Sequence, residues 1–323
     1  MAQTDMPLDE MRAYRPGLEV PADLDAFWQA SLADARTHDL AATFTPFESG
    51  LSLISTFDVQ FAGYAGSPVR GWLHLPAGAA GPLPAVVEYV GYGGGRGLAH
   101  ERLLWPAAGY AHLIMDTRGQ GSTWSVGDTP DLDPTGAPRH PGFTTAGILD
   151  PATYYYRRVY VDAARAIEAV RAHPAVDPRR VAVTGGSQGG ALAIAAAALV
   201  PDISAAMPDV PFMSDLPRSI TKTEADPYAE IARYLKVHRD HVDRTLRTLS
   251  YFDVAVLGRR AHAPALFSVG LMDLTCLPST VFAAANWYGG PAEIREYPFN
   301  DHEGGEGFHD LAKLRWLGPR LAR

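Results

Sequence analysis

Ser187 stands at the centre of Gly185-Gly186-Ser187-Gln188-Gly189. A serine hydroxyl is a poor nucleophile unless its surroundings activate it. Here the five residues lie between Arg180-Val181-Ala182-Val183-Thr184, which reads as a buried strand, and Ala191 to Leu199, which reads as an apolar helix. A Gly-x-Ser-x-Gly turn in that setting holds the hydroxyl at the top of a sheet. It also aims the backbone N–H of the next residue, Gln188, at a developing oxyanion. Gly185 and Gly189 suit such a turn because it leaves little room for β-carbons. The competing expectation is a plain Gly-rich turn whose serine only caps the helix.

A nucleophile elbow needs a base and a group that orients it, in the chain order serine, acid, histidine. Asp273 follows Phe267-Ser268-Val269-Gly270-Leu271-Met272, a strand running into a loop, the usual place for the orienting carboxylate. Its alternative role is an N-cap for the segment from Pro278 onward, from which it stands several residues away. Among the 11 histidines, His302 falls in Asn300-Asp301-His302-Glu303-Gly304-Gly305, a loop after the last strand-like run, and is the expected base. His309 is the alternative, placed at the start of the terminal helix. His74 and His112 read as packed strand residues, and His238 and His241 as part of a charged helix without a third metal ligand. Asp301 is not expected to orient its own neighbour. A second oxyanion donor is expected from the glycine-rich loop Tyr89-Val90-Gly91-Tyr92-Gly93-Gly94-Gly95, which lacks the lysine of a P-loop and the dinucleotide spacing.

The elements that must position these groups alternate along the chain. Strand-like runs cover Pro84–Val90, His112–Asp116, Val181–Val183, Ala205–Val210, Ala265–Gly270 and Ala292–Tyr297, with apolar helical segments at Tyr154–His173 and Ala191–Leu199. That order predicts an α/β fold with a mostly parallel sheet covered by helices on both faces. Leu51–Phe61 and Val69–Leu75 predict an antiparallel pair before it. Residues 1–45 read as an N-terminal cap, with a helix from about Ala22 to Thr37, Asp23 as its N-cap and Leu24, Phe27, Trp28 and Leu32 on its apolar side. Residues 211–258 are polar and helical in pattern and read as an inserted lid or interaction surface.

Bulk composition narrows the function. A net charge of -8 without a basic cluster argues against nucleic-acid binding. The single cysteine, Cys276, excludes an intramolecular disulfide and reads as a small buried residue. Met1–Met6 has neither the basic nor the apolar part of a signal peptide, and Ala191–Val200 is too short to span a bilayer. A soluble, cytoplasmic protein with no membrane partner is therefore expected, organised as one domain over 1–323.

With these residues placed, the chain resembles the acetyl xylan esterase/cephalosporin-C deacetylase family, carbohydrate esterase family seven. The resemblance rests on Arg118-Gly119-Gln120-Gly121, the elbow at Ser187, and His302-Glu303. Supporting it are Asp5-Met6-Pro7-Leu8, Gly147-Ile148-Leu149-Asp150, Tyr154-Tyr155-Tyr156-Arg157-Arg158 and Leu249-Ser250-Tyr251-Phe252-Asp253. It implies an α/β-hydrolase fold with a helical insertion and a Ser187–Asp273–His302 triad. It also implies an oxyanion hole from the Tyr92 and Gln188 N–H groups, which face the substrate. The implied reaction deacetylates small acetylated sugars, xylo-oligosaccharides and cephalosporin C, with no metal and no cofactor. A ring-shaped homohexamer is implied as well, with 211–258 as its interface insertion. Val90 stands where some members carry histidine, a mild departure because the donor is a backbone N–H. Arg118 and Gln120 are expected to brace the active-site loops. Rival readings are a serine peptidase of the prolyl-oligopeptidase type and a catalytically silent receptor on the same fold.

Overall fold

The computed structural model describes residues 3–132 and 138–322. Its centre is a nine-stranded sheet in the order β1-β2-β3-β5-β4-β6-β7-β8-β9. β1 (Thr43–Phe47), β2 (Ile54–Ala62) and β3 (Pro68–Pro76) are antiparallel, and β3 meets β5 (Ala111–Met115) antiparallel. From there β4 (Leu83–Tyr89), β6 (Val176–Gly186), β7 (Ala205–Asp209), β8 (Ala265–Gly270) and β9 (Ala292–Tyr297) run parallel to β5. The expected strands are all present. β1 is an addition: its sequence, Thr-Phe-Thr-Pro-Phe, is mostly exposed and gives no clear apolar alternation.

Alternation within each inner strand supplies both faces with a core. Ala85, Val87, Ala206 and Phe267 point to one side and join the larger core, which includes the helices Tyr155–Arg171 and Gln188–Leu199. Val86, Met207 and Leu266 point to the other side and pack against Trp105, Trp316 and Leu317, the last two from the terminal helix Glu306–Leu321. Gln188–Leu199 is apolar on almost every side because it is buried on almost every side. The parallel strands fix which loops are neighbours. Tyr89 pairs with Gly185, so the loop after β4 and the serine elbow leave the sheet side by side. Gly270 pairs with Tyr297, so the loops after β8 and β9 do the same.

The N-terminal helix spans Leu24–Arg36. Leu24, Trp28 and Leu32 are buried on its apolar side, and Trp28 stacks on Tyr160 at 5.6 Å between ring centroids. Asp23 occupies the N-cap position, but its side chain does not cap the helix. It instead accepts the Tyr251 hydroxyl at 2.5 Å, tying the N-terminal segment to residues far along the chain. Segment 211–258 folds into the helices Leu216–Lys222, Tyr228–Val237, Val242–Ser250 and Val254–Leu257. Its two ends are core: Phe212, Met213, Phe252, Val254 and Leu257 are buried, and only the middle carries the polar pattern.

Candidate active site

The elbow is a strained turn. Ser187 sits at φ 56° and ψ −115°, a region a non-glycine residue avoids unless its surroundings impose it. Those surroundings are tight. A β-carbon on Gly185 would come within 2.5 Å of the Tyr89 carbonyl oxygen, and one on Gly189 within 2.1 Å. Gly186 has nothing within 4 Å of such a carbon and borders open space. The Ser187 N–H donates to the Asp209 carbonyl at 2.9 Å. Its hydroxyl does not cap the helix that follows.

That hydroxyl meets His302 instead. Ser187 Oγ lies 2.9 Å from His302 Nε2, and His302 Nδ1 lies 2.8 Å from Asp273 Oδ2. Asp273 is buried, and its Oδ1 accepts the N–H groups of Thr275 at 2.7 Å and Cys276 at 2.9 Å. It therefore organises its own loop and does not cap the helix Pro278–Trp287, which lacks a side-chain cap. A carboxylate can only accept, so Nδ1 carries the imidazole proton and Nε2 is left to accept from the serine hydroxyl. His309 points elsewhere, with Nε2 2.9 Å from Asp209 Oδ1 and Nδ1 3.0 Å from the Tyr297 hydroxyl. Asp301 accepts the Leu274 N–H at 3.3 Å. His238 and His241 stack on each other at 5.0 Å, and His241 bonds the Tyr234 hydroxyl. Among the described residues no group of His, Cys, Asp and Glu side chains is disposed to hold a metal ion.

The loop after β4 and the start of the helix after the elbow are joined by a network of side chains around Gln120 and Gln188. Gln188 opens its helix, so its N–H has no partner one turn earlier in that helix. The Gly91 carbonyl accepts the Gly94 N–H at 3.2 Å. In a trans peptide the N–H points opposite to the carbonyl, which directs the Tyr92 N–H away from that turn. Gln120 Oε1 accepts the Gly93 N–H at 2.7 Å, and its Nε2 donates to Gln188 Oε1 at 2.8 Å and to the Tyr155 hydroxyl at 3.0 Å. Gln188 Nε2 donates back to Gln120 Oε1 at 3.2 Å and to the Val90 carbonyl at 3.1 Å. The Tyr156 hydroxyl completes the set at 2.9 Å from Gln188 Oε1. Arg118 is fully buried and pairs with Asp162 at 2.5 Å. Gln120 thus spans both loops directly, while Arg118 anchors the strand end that carries it.

The triad opens into a pocket of about 670 Å³ whose lining includes Gly91, Tyr92, Trp124, Pro227, Thr275 and Glu303. Trp124 is 56% exposed, and its indole N–H donates to the Tyr92 carbonyl at 2.9 Å. At the pocket's edge Glu88 is paired with Arg102, and His112 Nε2 lies 3.1 Å away from the same carboxylate. Trp124, Tyr155, Tyr156 and Glu230 carry no sequence signal that marks them as site residues. Tyr154-Tyr155-Tyr156 was visible as a motif, but nothing in the local pattern says that two of the hydroxyls reach glutamines on other elements.

The acetyl xylan esterase family model matches residues 1–319 of this chain. The chain belongs to the acetyl xylan esterase family. A member of that family, this chain is also 39% identical to an acetyl xylan esterase of known structure from Paenibacillus sp. R4, at a TM-score of 0.90. The match covers 97% of this chain and 99% of that one. Acetyl xylan esterase 1 of Thermoanaerobacterium sp. JW/SL YS485 matches at 32% identity and a TM-score of 0.87, over 98% of this chain and 99% of that one. The acetyl esterase Axe7A of Xylanibacter ruminicola is 29% identical over 297 residues, 89% of this chain; the match spans 65% of that longer protein. The fold is that of the α/β-hydrolases, and the family is one of carboxylic ester hydrolases. Among the described residues no helix is long and apolar enough to cross a membrane.

Proposed function

We propose that this chain is a serine esterase that removes O-acetyl groups from small acetylated carbohydrates such as xylo-oligosaccharides, and from cephalosporin C, through an acetyl-serine intermediate. The observation that carries the reading is the hydrogen-bonded chain Ser187–His302–Asp273 at the mouth of a pocket. Family membership supplies the acyl group. His302 Nε2 takes the Ser187 proton as Oγ attacks the acetyl carbonyl carbon. The negative oxygen of the tetrahedral adduct is held by the Tyr92 and Gln188 N–H groups. The adduct collapses, the C–O bond to the sugar breaks, and His302 gives its proton to the leaving oxygen. A water then gives a proton to His302 and adds to the acyl carbon. Acetate leaves as the proton returns to Ser187. Asp273 holds the imidazole tautomer throughout. No step calls on a metal or cofactor. A cytoplasmic location, read from Met1–Met6, and a homohexamer to whose assembly the 211–258 insertion contributes belong to the same proposal.

Ser187→Ala should lower kcat for p-nitrophenyl acetate by on the order of 10⁴ or more with the fold intact. Acetyl esters should exceed butyryl esters by about 10–200-fold per poorly fitting methylene. Retained activity in Ser187→Ala, or labelling by an organophosphate at another residue, would overturn the nucleophile. A maximum at long acyl chains, or faster cleavage of aminoacyl anilides than of acetyl esters, would overturn the substrate class.

A further inference from the structure

Helix Tyr228–Val237 belongs to the 211–258 segment and contributes nothing to the triad, yet its first turn reaches the oxyanion loop. Both Glu230 carboxylate oxygens lie 2.8 Å from the Tyr92 hydroxyl. Oε2 also accepts the Thr144 hydroxyl at 2.5 Å and the Thr144 N–H at 3.3 Å. The Tyr92 oxygen in turn accepts the N–H groups of Phe143 at 2.9 Å and Gly142 at 3.2 Å. One phenol thus gathers a helix of the insertion, the 142–144 turn and the glycine-rich loop. Burial, and then the Glu230 charge, raise the Tyr92 pKa, so the phenol remains a donor throughout the working pH range.

Tyr92 is held at three points. Its carbonyl accepts the Trp124 indole, the next N–H is taken by Gln120, and its side chain is fixed by Glu230. The first two lock the peptide after Tyr92. The preceding peptide, which carries the Tyr92 N–H, is held by one long bond, from the Gly94 N–H to the Gly91 carbonyl at 3.2 Å, and the anchored side chain adds a hold on the α-carbon against the crankshaft motion that would swing it. A carboxylate suits the task because charge-assisted hydrogen bonds are about twice as strong as neutral ones, and both oxygens can accept. An amide in its place would turn an NH2 toward donors.

We propose that Glu230 is a positioning residue for the esterase reaction: it holds Tyr92 so that the N–H faces the oxyanion and the ring closes the acyl end of the pocket. This rests on the reading above, in which Tyr92 supplies one oxyanion donor. Glu230 touches neither substrate nor reacting atoms in this scheme and acts through Tyr92, while Thr144 fixes its carboxylate.

Steady-state kinetics of Glu230→Ala, Glu230→Gln and Tyr92→Phe on p-nitrophenyl acetate, propionate and butyrate test it, with Ser187→Ala measured beside them. Loss of a full oxyanion donor costs about 10²–10³ in kcat, so a displaced one should cost on the order of 10–100-fold. Glu230→Ala should show that fall in kcat with KM for acetate changed by less than about threefold, and an acetate-to-butyrate preference reduced severalfold. Glu230→Gln, which keeps one acceptor, should fall between. Glu230→Ala combined with Tyr92→Phe should be no worse than the worse single variant, because both break one link. If Glu230→Ala is too unstable to assay, Glu230→Gln and Tyr92→Phe carry the same comparison. An unchanged kcat and acyl profile, or a uniform loss across all three esters with the preference intact, would overturn the proposal. Were Ser187→Ala also active, the esterase reading itself would fail; an inactive Ser187→Ala beside a wild-type Glu230→Ala removes only the role of Glu230.

Discussion

Asp273 divides its two oxygens between two tasks, and that division makes its substitution informative. Oδ1 accepts two loop N–H groups, and Oδ2 accepts from His302. In Asp273→Asn the loop N–H groups retain the amide oxygen, which turns the NH2 toward His302 Nδ1. That nitrogen must then accept, its proton moves to Nε2, and the imidazole can no longer take the serine proton. A loss on the order of 10⁴ in kcat with nearly unchanged stability is expected. Asp301→Asn should stay near wild type, because Asp301 holds only a long bond to the Leu274 N–H. The reverse ranking, read from kcat and thermal melts, would name the wrong carboxylate. Cys276 is buried beside this loop, and burial raises its thiol well above the ordinary range, which fits a packing role.

At the scale of elements, the close approach of β4, β6 and the helix Gln188–Leu199 shapes the elbow. A methyl on Gly189 would collide with the Tyr89 carbonyl at 2.1 Å, and backbone cannot yield as a side-chain tip can. Gly189→Ala should cost roughly 3 kcal/mol or more in chemical denaturation. Gly186→Ala meets nothing within 4 Å and should cost under about 1 kcal/mol. Equal costs would mean that the elbow relaxes more freely than its contacts allow. The end of β4 also carries Glu88. Burial alone would raise this carboxyl, but His112 and then Arg102 outweigh it and hold it at about 2, below its ordinary 4.5. A lowered native value stabilises the fold above pH 4.5, and that contribution fades as the pH falls toward 2. Glu88→Gln should therefore cost roughly 2–4 kcal/mol at neutral pH and progressively less in acid. A cost independent of pH would show that the pairing is not ionic.

For the whole molecule, the 211–258 segment combines three features. Its ends fill the core, Glu230 reaches the oxyanion loop, and Val237 stands 75% exposed on the same helix. Removing residues 221–245 would delete Tyr228 and Ile231, both fully buried, so truncation would confound assembly with folding. Val237→Glu is the milder probe, since a charge on an exposed apolar position weakens a contact there without opening the core. If the proposed homohexamer forms, light scattering of the wild type should give a mass of about six chains, a closed point-group assembly. Val237→Glu should give smaller species that still cleave p-nitrophenyl acetate. If active sites face a cavity of the ring, those species should gain on polymeric acetylated xylan relative to xylobiose acetate. A monomeric wild type, or one equally fast on both, would dismiss the ring while leaving the triad chemistry intact.

The strands after β1, the elbow and the members of the Ser187–His302–Asp273 chain are legible in the sequence because each is written locally. A strand-turn-helix switch at Gly185–Gly189 needs only adjacent residues, Asp273 follows a short apolar strand, and His302 follows a short edge strand of mixed polarity. Parallel strands then deliver such loops to one sheet edge whatever the intervening length. Tertiary structure alone decided the rest. Tyr92 and Glu230 are 138 residues apart, and Gln120 and Gln188 are 68 apart. Neither pair has a periodicity or a spacing that could announce it. β1 is not legible in the sequence because an exposed edge strand needs no apolar alternation. Asp23 satisfied the rule for a helix cap, but the Tyr251 hydroxyl, 228 residues away, provided a different partner. Local patterns fix what a residue can do, since chemistry and helix or strand periodicity act over a few positions. Which partner a polar side chain finds depends on register and packing between distant elements, and those exist only once the chain has folded.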